Sequence, residues 1–275
     1  MPWGVTFRTN RYNGVVKKAV RRRIWFYGGF LTAILGGYSY QPVRIDLFPR
    51  PAPNPNSLVD PDTKRLFSKG ATVAVLTAHP DDSEYYAGAL LAKLHKAGAK
   101  VRLVVMTDGD KGFYPWVDSV AYGRVRRREE SEAARRWGAE RVVFLGFPDG
   151  RLEENDETVH AATEALRGAE WVVTFDGDYP PKVSHRDHRA AGQIAERAAP
   201  AAGARWLVRF ATHAPNGTFD LTGFDTEHRA LLDVHRSQFM GEKETRVWGT
   251  VFEAGLEDGE RIGAEYGLAF RATRL

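Results

Sequence analysis

Residues 71–98 read ATVAVLTAHPDDSEYYAGALLAKLHKAG. The first seven form a β-branched apolar run that opens after Gly70 and stops at a His-Pro pair, the pattern of a buried strand. The period then changes. Ala87, Leu90, Leu91, Leu94 and Ala97 recur at helical spacing within 83–97, and Gly98 supplies the stop. Strand, short polar turn and helix are the first half of a βαβ unit.

The same alternation continues downstream. Strands are expected at 101–106, 141–147, 171–175 and 206–211, with helices at 120–137, 156–168, 186–199 and 224–239. The tail from Val247 to Phe270 reads as strands. The expected fold is therefore α/β and Rossmann-like, a mostly parallel β-sheet flanked by helices. In such a sheet, ligands bind beyond the carboxyl ends of the strands.

Two polar segments fall at such ends. His79, Pro80, Asp81, Asp82, Ser83 and Glu84 follow the first strand, and Ser184-His185-Arg186-Asp187-His188-Arg189 follow the fourth. The chain has 275 residues and no cysteine, which excludes disulfides, thiolate zinc sites, iron–sulfur clusters and a Cys nucleophile. A metal site must then draw on His and carboxylate, and two His with one Asp plus a water is a standard catalytic zinc set. A spare carboxylate beside that water can act as general base. The plainer reading of Asp82-Ser83-Glu84 is a helix cap, which leaves His79 unexplained.

These residues resemble the LmbE-like/PIG-L deacetylases. The resemblance rests on AHPDD after the first strand, Thr107-Asp108-Gly109 after the second, and the later His-x-Asp-His. RRREE (126–130), LGFPDGRL (145–152) and VHRSQ (234–238) support it, and it covers about residues 71–272. It implies a zinc-dependent hydrolase, with ferrous iron as an alternative metal, that removes acetyl groups from N-acetylglucosamine-containing molecules. Carried over by motif, it implies that His79, Asp82 and His188 bind the metal. Asp81 would be the general base, His185 the second acid–base or electrophilic group, and Asp187 the carboxylate that holds His185 in one tautomer. Asp108 is expected to accept a sugar hydroxyl, and Arg128 to bind the substrate beyond the sugar. The plainer reading of Arg126–Arg128 with Glu129, Glu130 and Glu132 is a solvated helix face. His235 is a weaker site candidate, and His95, His160, His213 and His228 carry no motif. Two departures bear on substrate fit: Ser83 stands where many relatives have Glu or Ala, and Val183 where some have Tyr.

Charge divides the chain. Its net charge is +4, yet residues 1–50 hold nine basic side chains against one acid, Asp46. The other 225 residues hold thirty bases and thirty-four acids, which argues against nucleic acid as a partner. Residues 24–43, IWFYGGFLTAILGGYSYQPV, are 20 residues without a charge, long enough as a helix to cross a bilayer. Seven basic residues precede that run, so the N-terminus is expected in the cytoplasm and the catalytic domain outside it. The alternatives are a cleaved signal peptide, a buried helix or amphipathic arm, and association with anionic lipid on the cytoplasmic face. The expected organisation is a basic segment over 1–23, a transmembrane signal anchor over 24–43, a Pro-rich linker over 44–70, and a deacetylase domain over 71–275. The expected partners are an N-acetylated amino sugar, lipid-linked or of the cell envelope, and the membrane. The competing functions are an amidase in a mycothiol- or bacillithiol-type pathway and a non-catalytic glycan-binding module.

Overall fold

The computed structural model describes residues 61–112, 118–180, 184–239 and 242–275. The expected signal anchor over 24–43 and its basic flank lie outside these residues, as does Val183. Among the described residues, no helix is long and apolar enough to cross a membrane.

Seven strands form one sheet: β1 (Thr72–Thr77), β2 (Lys100–Thr107), β3 (Arg141–Phe147), β4 (Trp171–Phe175), β5 (Trp206–Phe210), β6 (Gly217–Asp220) and β7 (Gly267–Arg274). Their order is β3-β2-β1-β4-β5-β7-β6. The first five are parallel, while β7 runs antiparallel to β5 with Trp206 opposite Arg274. β6 in turn pairs antiparallel with β7. The helices are α1 (Asp82–Ala97), α2 (Ser119–Arg136), α3 (Asp156–Leu166), α4 (Arg186–Ala201), α5 (Asp225–Leu232) and α6 (Glu242–Glu260).

The local chemistry of these elements is orthodox. β4 and β5 are buried along their whole length, as expected of strands covered on both faces. Trp171 and Trp206 stack across that pair at 5.3 Å. α1 ends on Gly98, whose φ of 76° costs little without a Cβ and lets its N–H reach the last helical carbonyls. α3 starts on an Asn155–Thr158 capping box. α1 packs with α5, and α3 with α4.

Sheet order places the site. From β1 the chain winds outward through β2 and β3, then returns to the other side of β1 for β4 and β5. The direction reverses between β1 and β4, and a crevice forms where their outgoing loops part.

Three expectations are corrected. The tail is not all strand: residues 242–260 form α6, with Val251 buried and Phe252 and Leu256 packed against the core, and only β7 is extended. Val247, Val251 and Phe252 look β-like singly, but their spacing also fits a helix face. The helix expected over 224–239 ends at Leu232, and the following turns fold inward to bury His235. Within the range expected to be a Pro-rich linker, 44–70, Pro61–Phe67 is a 3-10 helix whose Leu66 is fully buried, while residues 44–60 lie outside the described residues.

Candidate active site

β1 delivers Ala78, His79, Pro80 and Asp81 to the crevice, and α1 begins at Asp82. The turn is tight because the Asp82 carboxylate folds back over it. Its Oδ2 accepts from the Ala78 N–H at 3.1 Å and the His79 N–H at 2.8 Å. Asp81 has φ 96°, left-handed and strained for a residue with a Cβ. It is held from α2. The Arg126 guanidinium lies 3.2 Å from the Asp81 carboxylate and donates to the carbonyls of Pro80 and Gly109 at 2.5 and 2.8 Å. Glu130, one turn further on, accepts the Asp81 N–H at 2.6 Å.

α4 supplies the facing side. His185 is its N-cap, and the Asp187 N–H donates to His185 Nδ1 at 3.2 Å. That bond leaves the proton of a neutral ring on Nε2. His188 Nε2 lies 3.1 Å from Asp82 Oδ1, and His79 Nδ1 lies 3.5 Å from Asp82 Oδ2. One nitrogen from each of His79, His185 and His188 falls within 4.8 Å of the others. Phe175 stacks on His188 at 4.2 Å and fixes its ring plane.

Carboxylates crowd His79. Besides Asp82, its Nε2 lies 3.1 Å from Asp149 and 3.4 Å from Asp187. Burial opposes charge on this imidazole, but hydrogen bonds to Asp149, Asp187 and Asp82 outweigh it and lift the pKa well above the usual value. Burial likewise pushes Asp82 upward, yet the charge and hydrogen bond of His188, with those of His79, hold it well below the usual carboxylate range. Asp149 settles at about 2, where His79 overcomes its burial. Asp187 Oδ2 accepts from the Gly150 N–H at 2.6 Å, while Oδ1 is buried with no hydrogen-bond partner among the described residues. Three carboxylates around two or three imidazoles, one with an orphaned oxygen, form an anionic donor set that fits a divalent cation.

The structure brings together His79, Asp81, Asp82, His185, Asp187 and His188. It separates the two expected substrate contacts. Asp108 lies at the carboxyl end of β2, 3.3 Å from Arg127, and lines a groove of about 340 Å³ with Arg124, Arg127, Phe147 and Pro148. Arg128 is exposed, because α2 turns Arg126 inward instead. The solvated-face reading of RRREE therefore holds for Arg128 but fails for Arg126 and Glu130, which are buried. Asp187 contacts His185 through its backbone N–H, while its carboxylate serves Gly150 and His79.

Asp149 was not anticipated, although it sits in LGFPDGRL after β3, the position from which a third strand-end loop reaches the crevice. Beneath the site lies a second group that motif reading did not assemble. His235 Nε2 is 3.1 Å from Glu84 and 3.7 Å from Glu130, and all three side chains are buried. Burial disfavours the His235 charge, but Glu84, then Glu130 and Asp81, raise its pKa to about 9. A raised imidazole stabilises the fold fully below the unfolded value near 6.5 and loses that contribution as pH climbs through about 9. Urea unfolding is expected to show a decline of about 3 kcal/mol between those limits, and His235→Gln to flatten it. An equally steep decline in His235→Gln would assign it to another group.

Residues 74–199 match the family model described as PIG-L: GlcNAc-PI de-N-acetylase. A diacetylchitobiose deacetylase from Thermococcus kodakarensis is 26% identical over 225 residues, 74% of this chain and 84% of that protein. A 1D-myo-inositol 2-acetamido-2-deoxy-alpha-D-glucopyranoside deacetylase from Saccharopolyspora erythraea is 33% identical over 144 residues, 42% of this chain and 51% of that protein. The structure of N,N'-diacetylchitobiose deacetylase from Pyrococcus horikoshii superposes with a TM-score of 0.69 at 26% identity, covering 77% of this chain and 86% of that one. Residues 74–199, which carry both histidine motifs, thus match the PIG-L (LmbE-like) domain, and the chain has deacetylases among its relatives and structural neighbours.

Proposed function

We propose that this protein is a divalent-metal-dependent hydrolase that removes the acetyl group from an N-acetylglucosamine-type amino sugar. The observation that carries this reading is the meeting of His79, Asp82 and His188 at the switch point, with Asp81 and His185 on either side. His79, Asp82 and His188 would hold the cation, zinc or ferrous iron. When bound, such an ion supplies Lewis-acid polarisation of the acetyl carbonyl and a more acidic water.

The remaining work falls to this chain's own side chains. Asp81 accepts a proton from the water that attacks the acetyl carbon. Burial raises its pKa, with Arg126 opposing, which suits a base that must later give that proton up. His185 presents Nε2–H to the tetrahedral oxyanion or to the departing nitrogen. Burial and then the charges of His79 and His188 lower its pKa, favouring the neutral donor ring. Breakage of the C–N bond leaves acetate and a free amine, and the proton that the nitrogen gains is the one Asp81 took from the water. Asp108 would accept a sugar hydroxyl from the adjoining groove.

The sugar class is supported by the relatives, whose names specify acetylated glucosamine derivatives. The uncharged run over 24–43 favours a lipid-linked or envelope substrate over a soluble one, with the catalytic domain outside the cytoplasm. The test is amine release from diacetylchitobiose and from lipid-linked acetylglucosamine by the zinc-loaded protein, with metal counted by mass spectrometry. A protein that binds no divalent metal and releases no amine would overturn the reading. His185→Ala is expected to keep the metal and lower kcat about 100-fold. Loss of the metal would make His185 a ligand, which its nitrogen's approach to His79 and His188 permits.

A further inference from the structure

We propose that Glu130 is a positioning residue for Asp81, holding its backbone in the one conformation that aims the carboxylate at the crevice. This rests on the reading of Asp81 as the general base.

Glu130 lies 49 residues from Asp81 and is fully buried, which is costly for a carboxylate without a specific task. Both of its oxygens are engaged at the β1–α1 turn. Oε2 accepts the Asp81 N–H at 2.6 Å and Oε1 accepts the Ser83 hydroxyl at 3.1 Å. His235 stands behind it, 3.7 Å away. The companion acid Glu84 is occupied elsewhere, by His235 at 3.1 Å and the Trp137 indole N–H at 2.7 Å.

Asp81 needs such a hold. Its φ of 96° belongs to a region that costs a residue with a Cβ on the order of 1–3 kcal/mol, so something must over-determine it. Asp81 is also the N-cap of α1, yet its side chain makes no capping hydrogen bond. The carboxylate is thus free of the task that an N-cap aspartate usually performs. α2 grips the residue at two points: Glu130 takes the N–H, and Arg126, four residues earlier on the same face, meets the carboxylate at 3.2 Å. Adjacent Asp82 is held the opposite way, by the amides of Ala78 and His79. Two neighbouring carboxylates are thereby pointed to different tasks. Without Glu130 the turn relaxes toward negative φ, and the Asp81 carboxylate swings away from the attacking water.

The test uses the full-length, zinc-loaded protein. Glu130→Gln keeps one acceptor oxygen and is expected to lower kcat about tenfold. Glu130→Ala keeps none and is expected to lower it about 100-fold, the cost of a misplacement near 1 Å. KM and metal content should stay within about twofold in both. Trp137→Phe disturbs the same buried cluster through Glu84, and should lose stability while kcat stays within about twofold. Crystal structures give a reading independent of turnover: Asp81 should leave the left-handed region in Glu130→Ala. The inference is overturned if Asp81 keeps its positive φ there, if kcat is unchanged in folded variants, or if Trp137→Phe loses as much kcat as Glu130→Ala. A wild-type protein without activity would sink the deacetylase reading, while the Asp81 conformation would still decide the role of Glu130.

Discussion

Asp81→Asn is expected to lower kcat about 1,000-fold while leaving the metal bound at wild-type stoichiometry. The substitution is nearly isosteric. An amide oxygen can still meet Arg126, and the backbone N–H still donates to Glu130. What disappears is the ability to take a proton from water. Asp82, a proposed ligand, keeps its bonds to the Ala78 and His79 amides and its place 3.1 Å from His188. Metal and turnover should therefore part company in this variant. In the wild type, burial raises the Asp81 pKa, so activity should fail as pH drops through a limb above the ordinary carboxylate value near 3.9. The base must be ionised to act, which fixes the sign. Initial rates of amine release across pH, with metal analysis of the same samples, check both statements. An Asp81→Asn protein that keeps wild-type kcat would remove Asp81 from the proton transfer.

His79→Ala is expected to lose both metal and turnover, with kcat falling by about four orders of magnitude, or several kcal/mol of charge stabilisation. The side chain is a proposed ligand and, when no metal is bound, the positive partner of three carboxylates. Asp82, Asp149 and Asp187 all lie within 3.5 Å of its nitrogens. Removing it leaves their charges facing one another in a buried space, so their pKa values should rise and the crevice should take up protons. The variant should therefore lose stability at neutral pH, where those carboxylates are ionised, as well as metal. Stoichiometric zinc in purified His79→Ala, measured by mass spectrometry, would refute its role as a ligand.

The fold was legible where the chemistry was local. β1, β3 and β4 announce themselves as short apolar runs, and α1 by its spacing and its Gly98 stop. β7 and α6 were harder, because a stretch such as Val247-Trp248-Gly249-Thr250-Val251-Phe252 satisfies strand and helix patterns at once. Packing against β7 decided between them. The candidate site divides in the same way. His79, Asp81, Asp82, His185 and His188 are contiguous with strand ends or a helix start, so their convergence follows from topology. Arg126 and Glu130 sit in a run of like-looking charges, RRREE, from which only the rotation of α2 selects those that face inward. His235 reaches Glu84 across 151 positions, and no periodicity within either segment reports that distance.

The reversed direction of β7 has a practical consequence. Because β7 runs against β5, Arg274 lies beside Trp206, and the Leu275 N–H donates to the Arg205 carbonyl at 2.9 Å. Leu275 is thereby held at the end of the sheet where the parallel strands begin, whereas His79 and His185 stand where they finish. A purification tag, a reporter or a surface tether joined after Leu275 would leave from the far pole of the domain. Immobilised by that end, the protein would present its crevice outward, accessible to a polymeric or membrane-borne sugar.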